Sequence, residues 1–194
     1  MKYLKFVREN FNDPRFPVFR TSDLRASLGL KGITETYLNR MLNYLSDRGE
    51  VKRITKGIYT FHDDIVVVGF AYAPFYYGLE NALTIRGLWD QNTNPIVMTW
   101  RNVRIGARKF GDGNYTLQRI SKREFFGSEL VRHYDFWIPV SDYEKTLIDF
   151  VRFGHHMGSG VLSELSRSID KDKLDRYLKA YDADLGKKVR GCLK

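Results

Sequence analysis

The sequence predicts an α+β protein: a small helical unit ending in a basic hairpin, then a mixed α/β part with a small, largely antiparallel sheet and C-terminal helices. Three observations predict it. Residues 34–48 carry a helical apolar period with a start and a stop, and residues 51–61 switch to two short β-type runs around Thr55, Lys56 and Gly57. From residue 65 onward, strand-like runs separated by Asn and Gly give way, after residue 141, to helical periodicity.

The helix over 34–48 is the most informative element. Leu38, Met41, Leu42 and Leu45 fall at i, i+3, i+4, i+7 and so share one face, with Tyr37 and Tyr44 at its edges. Thr36, Asn39, Arg40, Asn43 and Asp47 take the opposite face. Thr34 suits the N-cap because its hydroxyl can accept an orphan N–H of the first turn, and Gly49 suits the stop because it tolerates positive φ. In the hairpin, Val51 and Ile54 belong to one strand and Ile58, Tyr59 and Phe61 to the next, and Lys52, Arg53 and Lys56 crowd its tip.

Two earlier helices complete the unit. Residues 3–11 place Leu4, Val7 and Phe11 on one face, and Thr21 is the expected cap of a helix over 22–28 with Leu24 and Leu28 turned inward and Gly29 ending it. Residues 30–33 form the turn. Three helices followed by a basic hairpin make a winged helix-turn-helix over residues 1–64, with 34–48 as its recognition helix and 51–61 as its wing. An α-helix fits the B-form major groove, approximately 12 Å wide, while the wing reaches phosphates or the adjacent minor groove. Asn39, Asn43 and Arg40 are the candidates for base edges, since Asn pairs bidentately with adenine and Arg with guanine. Arg20, Lys31, Lys52, Arg53 and Lys56 are candidate phosphate clamps, which position without reading sequence. With Thr34 and Thr36 at the start of the helix, these form the DNA-binding set. A polar helix face can also be simply solvated, and winged helices also bind proteins.

Composition agrees. The formal charge is +9 and the pI near 9.6, which favours a polyanionic partner. Counted over residues 1–64, 65–152 and 153–194, Lys and Arg stand against Asp and Glu at 12 to 8, 11 to 9 and 9 to 6, an excess of base of +4, +2 and +3, so pattern rather than net charge must localise the site. The single cysteine, Cys192, cannot form an intramolecular disulfide. No apolar run approaches the roughly 20 residues of a membrane span, and no signal-peptide core opens the chain, so a cytoplasmic location is expected.

His62, Asp63 and Asp64 mark the boundary to a second domain over 65–194, and so short a junction implies close packing. There, 65–72 reads as a strand and 76–86 as a helix closed by Gly87. Strands follow over 95–100, 103–107, 115–120 and 135–139. Ser141 and Glu144 read as a capping box before a helix over 146–153 in which Leu147, Ile148 and Val151 are core positions. Breaks fall at 154–160, and Asp170 caps a helix over 171–181.

In this second half, PFYYGLENALTIRGL at 74–88 and IPVSDYEKTLIDFV at 138–151 resemble two segments of AbiEi-type antitoxins. The order of a winged helix, a mixed domain and C-terminal helices is similar too. The resemblance implies a transcriptional repressor of its own operon that counteracts a co-encoded nucleotidyltransferase-like toxin. Of the matched residues, Ser141, Glu144, Thr146 and Asp149 read as a helix start with a structural polar cluster in which Asp149 pairs with a basic neighbour. Ala82, Leu83, Gly87 and Leu88 read as packing. Where the family carries Arg after the Glu, this chain has Lys145, which weakens any bidentate contact there.

An enzyme would need other features. His155 and His156 are adjacent, whereas a metal-binding helix spaces its histidines i, i+4. A nuclease would need Glu80, Asp142, Glu144 or Asp149 to converge around Mg²⁺, and Glu144 and Asp149 lie five apart. Gly111-Asp112-Gly113 reads as a turn, and phosphate-cradling glycine motifs are absent. Neither catalytic residues nor a cofactor nor a metal are expected. Tyr72, Phe75, Tyr76, Tyr77, Trp89 and Trp100 read as core rather than as a base-stacking platform. Three readings follow: a DNA-binding repressor and antitoxin, with promoter DNA and a cognate toxin as partners and a dimeric or cooperative state on DNA; a stand-alone winged-helix transcription factor whose second domain senses a ligand or dimerises; and a DNA-associated metal enzyme.

Overall fold

The computed structural model of the chain describes residues 2–29, 32–91 and 93–193. The N-terminal unit runs α1 (Leu4–Phe11), β1 (Phe19–Arg20), α2 (Thr21–Gly29), α3 (Glu35–Asp47), β2 (Lys52–Thr55) and β3 (Ile58–Thr60), with sheet order β1-β3-β2. Leu4, Val7, Leu24, Leu28, Leu38, Met41, Leu42 and Leu45 close into one core, so the helical period is the buried face. The Thr34 hydroxyl accepts from the Tyr37 N–H at 3.3 Å, and Gly49 stops α3 at φ +70°.

Two local details depart from expectation. Thr21 is not a cap. Its amide and hydroxyl both donate to the Gly57 carbonyl, at 3.0 and 3.4 Å, while Asp23 accepts from the Arg20 N–H. This follows from β1, which pairs Phe19 with Tyr59 and Arg20 with Ile58 and delivers Thr21 to the hairpin turn. Two residues are too few to show a strand period. In the hairpin, Arg53 opposes Tyr59 and Thr55 opposes Ile58, so Ile54 is the extra residue of a bulge. Its side chain is buried, not in the N-terminal core but against Val66, Val67 and Val68 of the following part.

That part is built on a six-stranded mixed sheet of order β6-β7-β5-β4-β9-β8, larger and less antiparallel than the sequence suggests. Its strands are β4 (Phe75–Tyr77), β5 (Ile96–Thr99), β6 (Gly106–Phe110), β7 (Gly113–Arg119), β8 (Ser128–His133) and β9 (Phe136–Ser141), with β4/β9 and β5/β7 parallel. Helices α4 (Leu79–Ile85), α5 (Tyr143–Phe153), α6 (Ser159–Arg167), α7 (Lys171–Leu178) and α8 (Ala183–Gly191) complete it. Alternation along the strands splits the core between the two faces. Phe75, Tyr77 and Val97 join the cluster that receives Ile54, whereas Tyr76 and Met98 pack with Leu147, Ile148, Phe150, Leu165 and Leu174 of the C-terminal helices.

Residues 65–72 are a 3₁₀ helix, not a strand. The run is apolar on every side, so it carries no period, and composition alone cannot separate a buried strand from a buried helix. Asp64 decides the matter by accepting from the Val66 N–H at 2.9 Å. At Gly69 an added Cβ would stand 2.1 Å from the Phe75 ring, so the helix lies closer to β4 than any other residue allows. Three other expectations shift: residues 75–77 are strand before α4 begins, the strand expected over 103–107 is β6, and β8 was not foreseen.

The expected capping box at Ser141 and Glu144 does not form. Asp142 caps α5, accepting from the Lys145 N–H at 2.8 Å, while Ser141 pairs with the Thr146 hydroxyl and Glu144 accepts from the Asp170 N–H at 2.7 Å. Asp149 finds the basic neighbour expected for it. The fully buried Lys145 ammonium pairs with it and donates to the Tyr181 hydroxyl at 2.9 Å, and Tyr76 donates to Asp149 at 2.8 Å. Burial pushes the Asp149 carboxyl up, opposed by Lys145 and the Tyr76 hydroxyl. Removing one member of such a pair strands a charge without solvent. Lys145→Met should therefore cost about 3–5 kcal/mol of unfolding free energy by denaturant titration, and adding Asp149→Leu should recover most of it. Additive losses in the double variant would contradict the pairing.

Candidate nucleic-acid interface

On α3 the exposed face carries Thr36, Asn39, Arg40 and Asn43, and among the described residues none of these side chains makes a hydrogen bond or ion pair within the chain. Of the neighbouring charges, Glu35 is held by Arg25 at 2.7 Å and Glu50 by Arg8 and Arg48, while Asp47, on the same face, is exposed without an ion pair among the described residues. One amphipathic helix thus leaves two amides, a hydroxyl and a guanidinium free on one stripe, with the Asp47 carboxylate at its C-terminal end. Thr34 stands at its start with its hydroxyl committed to the cap.

The expected clamps divide. Arg53 and Lys56 are exposed at the wing, Arg53 donating only to the Thr55 carbonyl at 3.3 Å. Lys52 is committed instead, paired with Asp63 at 2.8 Å with its ammonium 6.0 Å from the Phe110 ring centre on β6. Arg20 is exposed at the end of β1 and borders a crevice whose other walls include Arg101, Arg104 and Arg108. Lys31 lies outside the described residues. Sequence reading missed the three crevice arginines because it summed charge over long blocks. Seven of the eleven Lys and Arg of residues 65–152 fall between 101 and 123, against one carboxylate, Asp112.

The other chemistry-bearing residues are dispersed. His155 Nδ1 meets Glu80 at 2.7 Å, Asp142 and Glu144 share Lys173 at 3.1 and 2.9 Å, and residues 111–112 form the β6–β7 turn. Among the described residues no group of three or more His, Cys, Asp or Glu is placed to hold a metal ion. Cys192 points its thiol at the Lys188 carbonyl, 3.3 Å away. Tyr72, Phe75, Tyr76 and Tyr77 are core, as expected, and Trp100 is 37% exposed. No described helix is long and apolar enough to cross a membrane.

The junction that orients the wing is tight. His62 packs edge-on against Phe136, with ring centres 5.1 Å apart. Burial holds its imidazole below the usual range, against the opposing pull of Asp135, Asp63 and Asp13.

The fold is that of a winged helix-turn-helix protein with an α/β lobe. Residues 14–62 match the profile of the family described as Transcriptional regulator, AbiEi antitoxin. This is the family that the sequence resembles, although the match falls on the winged unit rather than on residues 74–88 and 138–151. Comparison with curated proteins gives no match. Among solved structures, the crystal structure of the RV2827C protein from Mycobacterium tuberculosis is similar, with a TM-score of 0.66 over 97% of this chain and 74% of that chain at 13% identity. At that identity the likeness is one of fold.

The half-buried His62 imidazole predicts an acid-sensitive junction. Below its ordinary pKa of 6.5 the unfolded chain takes up the proton more readily than the folded one, so the stability that neutral His62 supports is present above 6.5 and is lost as pH falls through that value toward the lower folded pKa. His62→Gln should flatten the fall in thermal midpoint between about pH 7.5 and pH 5.5. An unchanged slope would remove His62 from the acid response.

Proposed function

We propose that this protein is a sequence-specific DNA-binding repressor and the antitoxin of an AbiE-like pair, acting in the cytoplasm. In this reading residues 1–64 form the DNA-binding domain and residues 65–194 the antitoxin-like domain. One or two copies bind inverted repeats over the promoter of the chain's own operon and block polymerase, and the second domain counteracts a nucleotidyltransferase-like toxin. The profile match over 14–62 supports a regulator of this type. The observation that carries DNA reading is the α3 stripe, whose Thr36, Asn39, Arg40 and Asn43 are exposed and unspent while Glu35 beside them is paired with Arg25.

The mechanism follows from placement. The stripe enters the major groove, where Asn and Arg can pair bidentately with adenine and guanine. Thr34 and Thr36 meet the groove edge at the helix start. Arg53 and Lys56 lie along the flanking backbone, where positive charge releases condensed counterions without reading sequence. Arg20 contributes from the same side, whereas Lys52, held by Asp63, serves the junction first.

Arg40→Ala and Asn43→Ala should each cost about 1–3 kcal/mol on the fragment upstream of the chain's own reading frame and relax discrimination against random duplex. Lys56→Ala should weaken all duplexes alike and lower the slope of log affinity against log salt by about 0.9. Gel shifts across a salt series measure both. Equal losses on specific and random DNA for all three variants would overturn the assignment of roles. The toxin reading is tested by the product of the adjacent reading frame: a nucleotidyltransferase-like protein whose growth arrest this chain relieves supports it, and relief that depends on promoter binding alone contradicts it.

A further inference from the structure

The crevice beside the wing holds an arrangement that DNA reading by α3 does not require. Thr55 on β2, Arg20 on β1 and the buried Tyr72 meet Arg101, Arg104 and Arg108 around a cavity of about 270 Å³. No Asp or Glu lines it, and none of the four guanidiniums lies within 4.0 Å of a carboxylate among the described residues. The carboxylate adjoining Arg20 in sequence, Asp23, is taken by the Arg20 amide and the Ser22 hydroxyl.

Two of the arginines are tethered to the backbone. Arg108 donates to the Arg104 carbonyl at 2.8 Å and lies over the Tyr72 ring at 5.8 Å, and Arg101 donates to the Ala73 carbonyl at 3.3 Å. Each guanidinium carries five N–H donors, so these tethers to Arg101 and Arg108 leave most of their donors unspent. Four like charges gathered from two parts of the fold repel one another, and an anion between them relieves that repulsion. Planar, fork-shaped donors match carboxylate and phosphate oxygens alike, and four of them around one cavity suit a multiply charged phosphate better than a halide or a single carboxylate. The volume corresponds to roughly nine waters, which admits one or two phosphate groups and falls below the usual size of a pocket for a whole cofactor.

We propose that this crevice is a phosphate-binding site. Thr55 and Ile58, which flank the Lys56-Gly57 wing tip, form one of its walls, so a phosphate bound there bridges the wing sheet and the second lobe. The phosphate comes either from the backbone of a duplex running past the wing or from a small free phosphorylated ligand.

Isothermal titration of the full-length chain with inorganic pyrophosphate at low salt tests the site without DNA, so its failure and the failure of the α3 reading are separable. Saturable binding is expected. Arg20→Gln with Arg104→Gln, two exposed side chains whose loss leaves the Tyr72 contact intact, should weaken it about tenfold. A charge-matched control, Arg167→Gln with Lys179→Gln on the far helices, should leave it unchanged. No saturable binding by the unmodified chain, or equal loss in the control, overturns the proposal. A second arm identifies the source. With a duplex backbone as ligand, Arg104→Gln lowers the salt slope of duplex binding by about 0.9 and pyrophosphate competes with DNA; with a free ligand the slope is unchanged.

Discussion

The wing hairpin belongs to two cores at once, and the arrangement of the molecule depends on it. Val51 is buried with the three N-terminal helices, while Ile54, three residues on, is buried with Val66, Val67 and Val68 of the lobe. Side chains along a strand alternate between faces, so residues three apart point to opposite sides of the small sheet. The bulge between Arg53 and Thr55 leaves Ile54 as the extra residue of β2, and its side chain is buried with the lobe. Val18 and Ile58 pack on the same second core. The hairpin is thus a wall shared by the two cores.

This wall ties the proposed reading surface to the lobe. The α3 stripe, the wing tip and the arginine crevice keep a fixed geometry because Lys52–Asp63, His62–Phe136 and the Ile54 contact brace the hairpin from behind. The sheet then divides the lobe: its wing-side face is dry and aliphatic-aromatic, and its other face packs the C-terminal helices around the buried Lys145–Asp149 pair. Tyr76, Phe126 and Tyr181 surround that ammonium at 5.4–5.7 Å, which fits a compact lysine better than a guanidinium. The lysine that departs from the resembling family's arginine is thus enclosed in this core.

Much of this was legible in the sequence, and the reasons for success and failure are physical. The face of α3, its Thr34 cap and its Gly49 stop were readable because local period and capping chemistry act within one element. The winged unit and the α+β class followed from them. Residues 65–72 were misread because a run buried on all sides has no period to report, and a single cap at Asp64 settles its form. The box at Ser141 and Glu144 failed because Asp142, between them, is the stronger local acceptor, and because Glu144 is drawn to the Asp170 amide 26 residues away. Of the proposed interface residues, the α3 stripe was readable as a face. That Lys52 turns to Asp63, or that Arg20 joins Arg101, Arg104 and Arg108, depends on long-range packing that no local pattern encodes.

The central claim is that one hairpin couples the helical unit and the lobe into a single cooperative body, and calorimetry of the full-length chain tests it most directly. The account predicts one unfolding transition whose calorimetric and van't Hoff enthalpies agree, and an Ile54→Ala variant that loses about 2–5 kcal/mol with the whole transition moving together. Two separable transitions, or an Ile54→Ala effect confined to one of them, would contradict it.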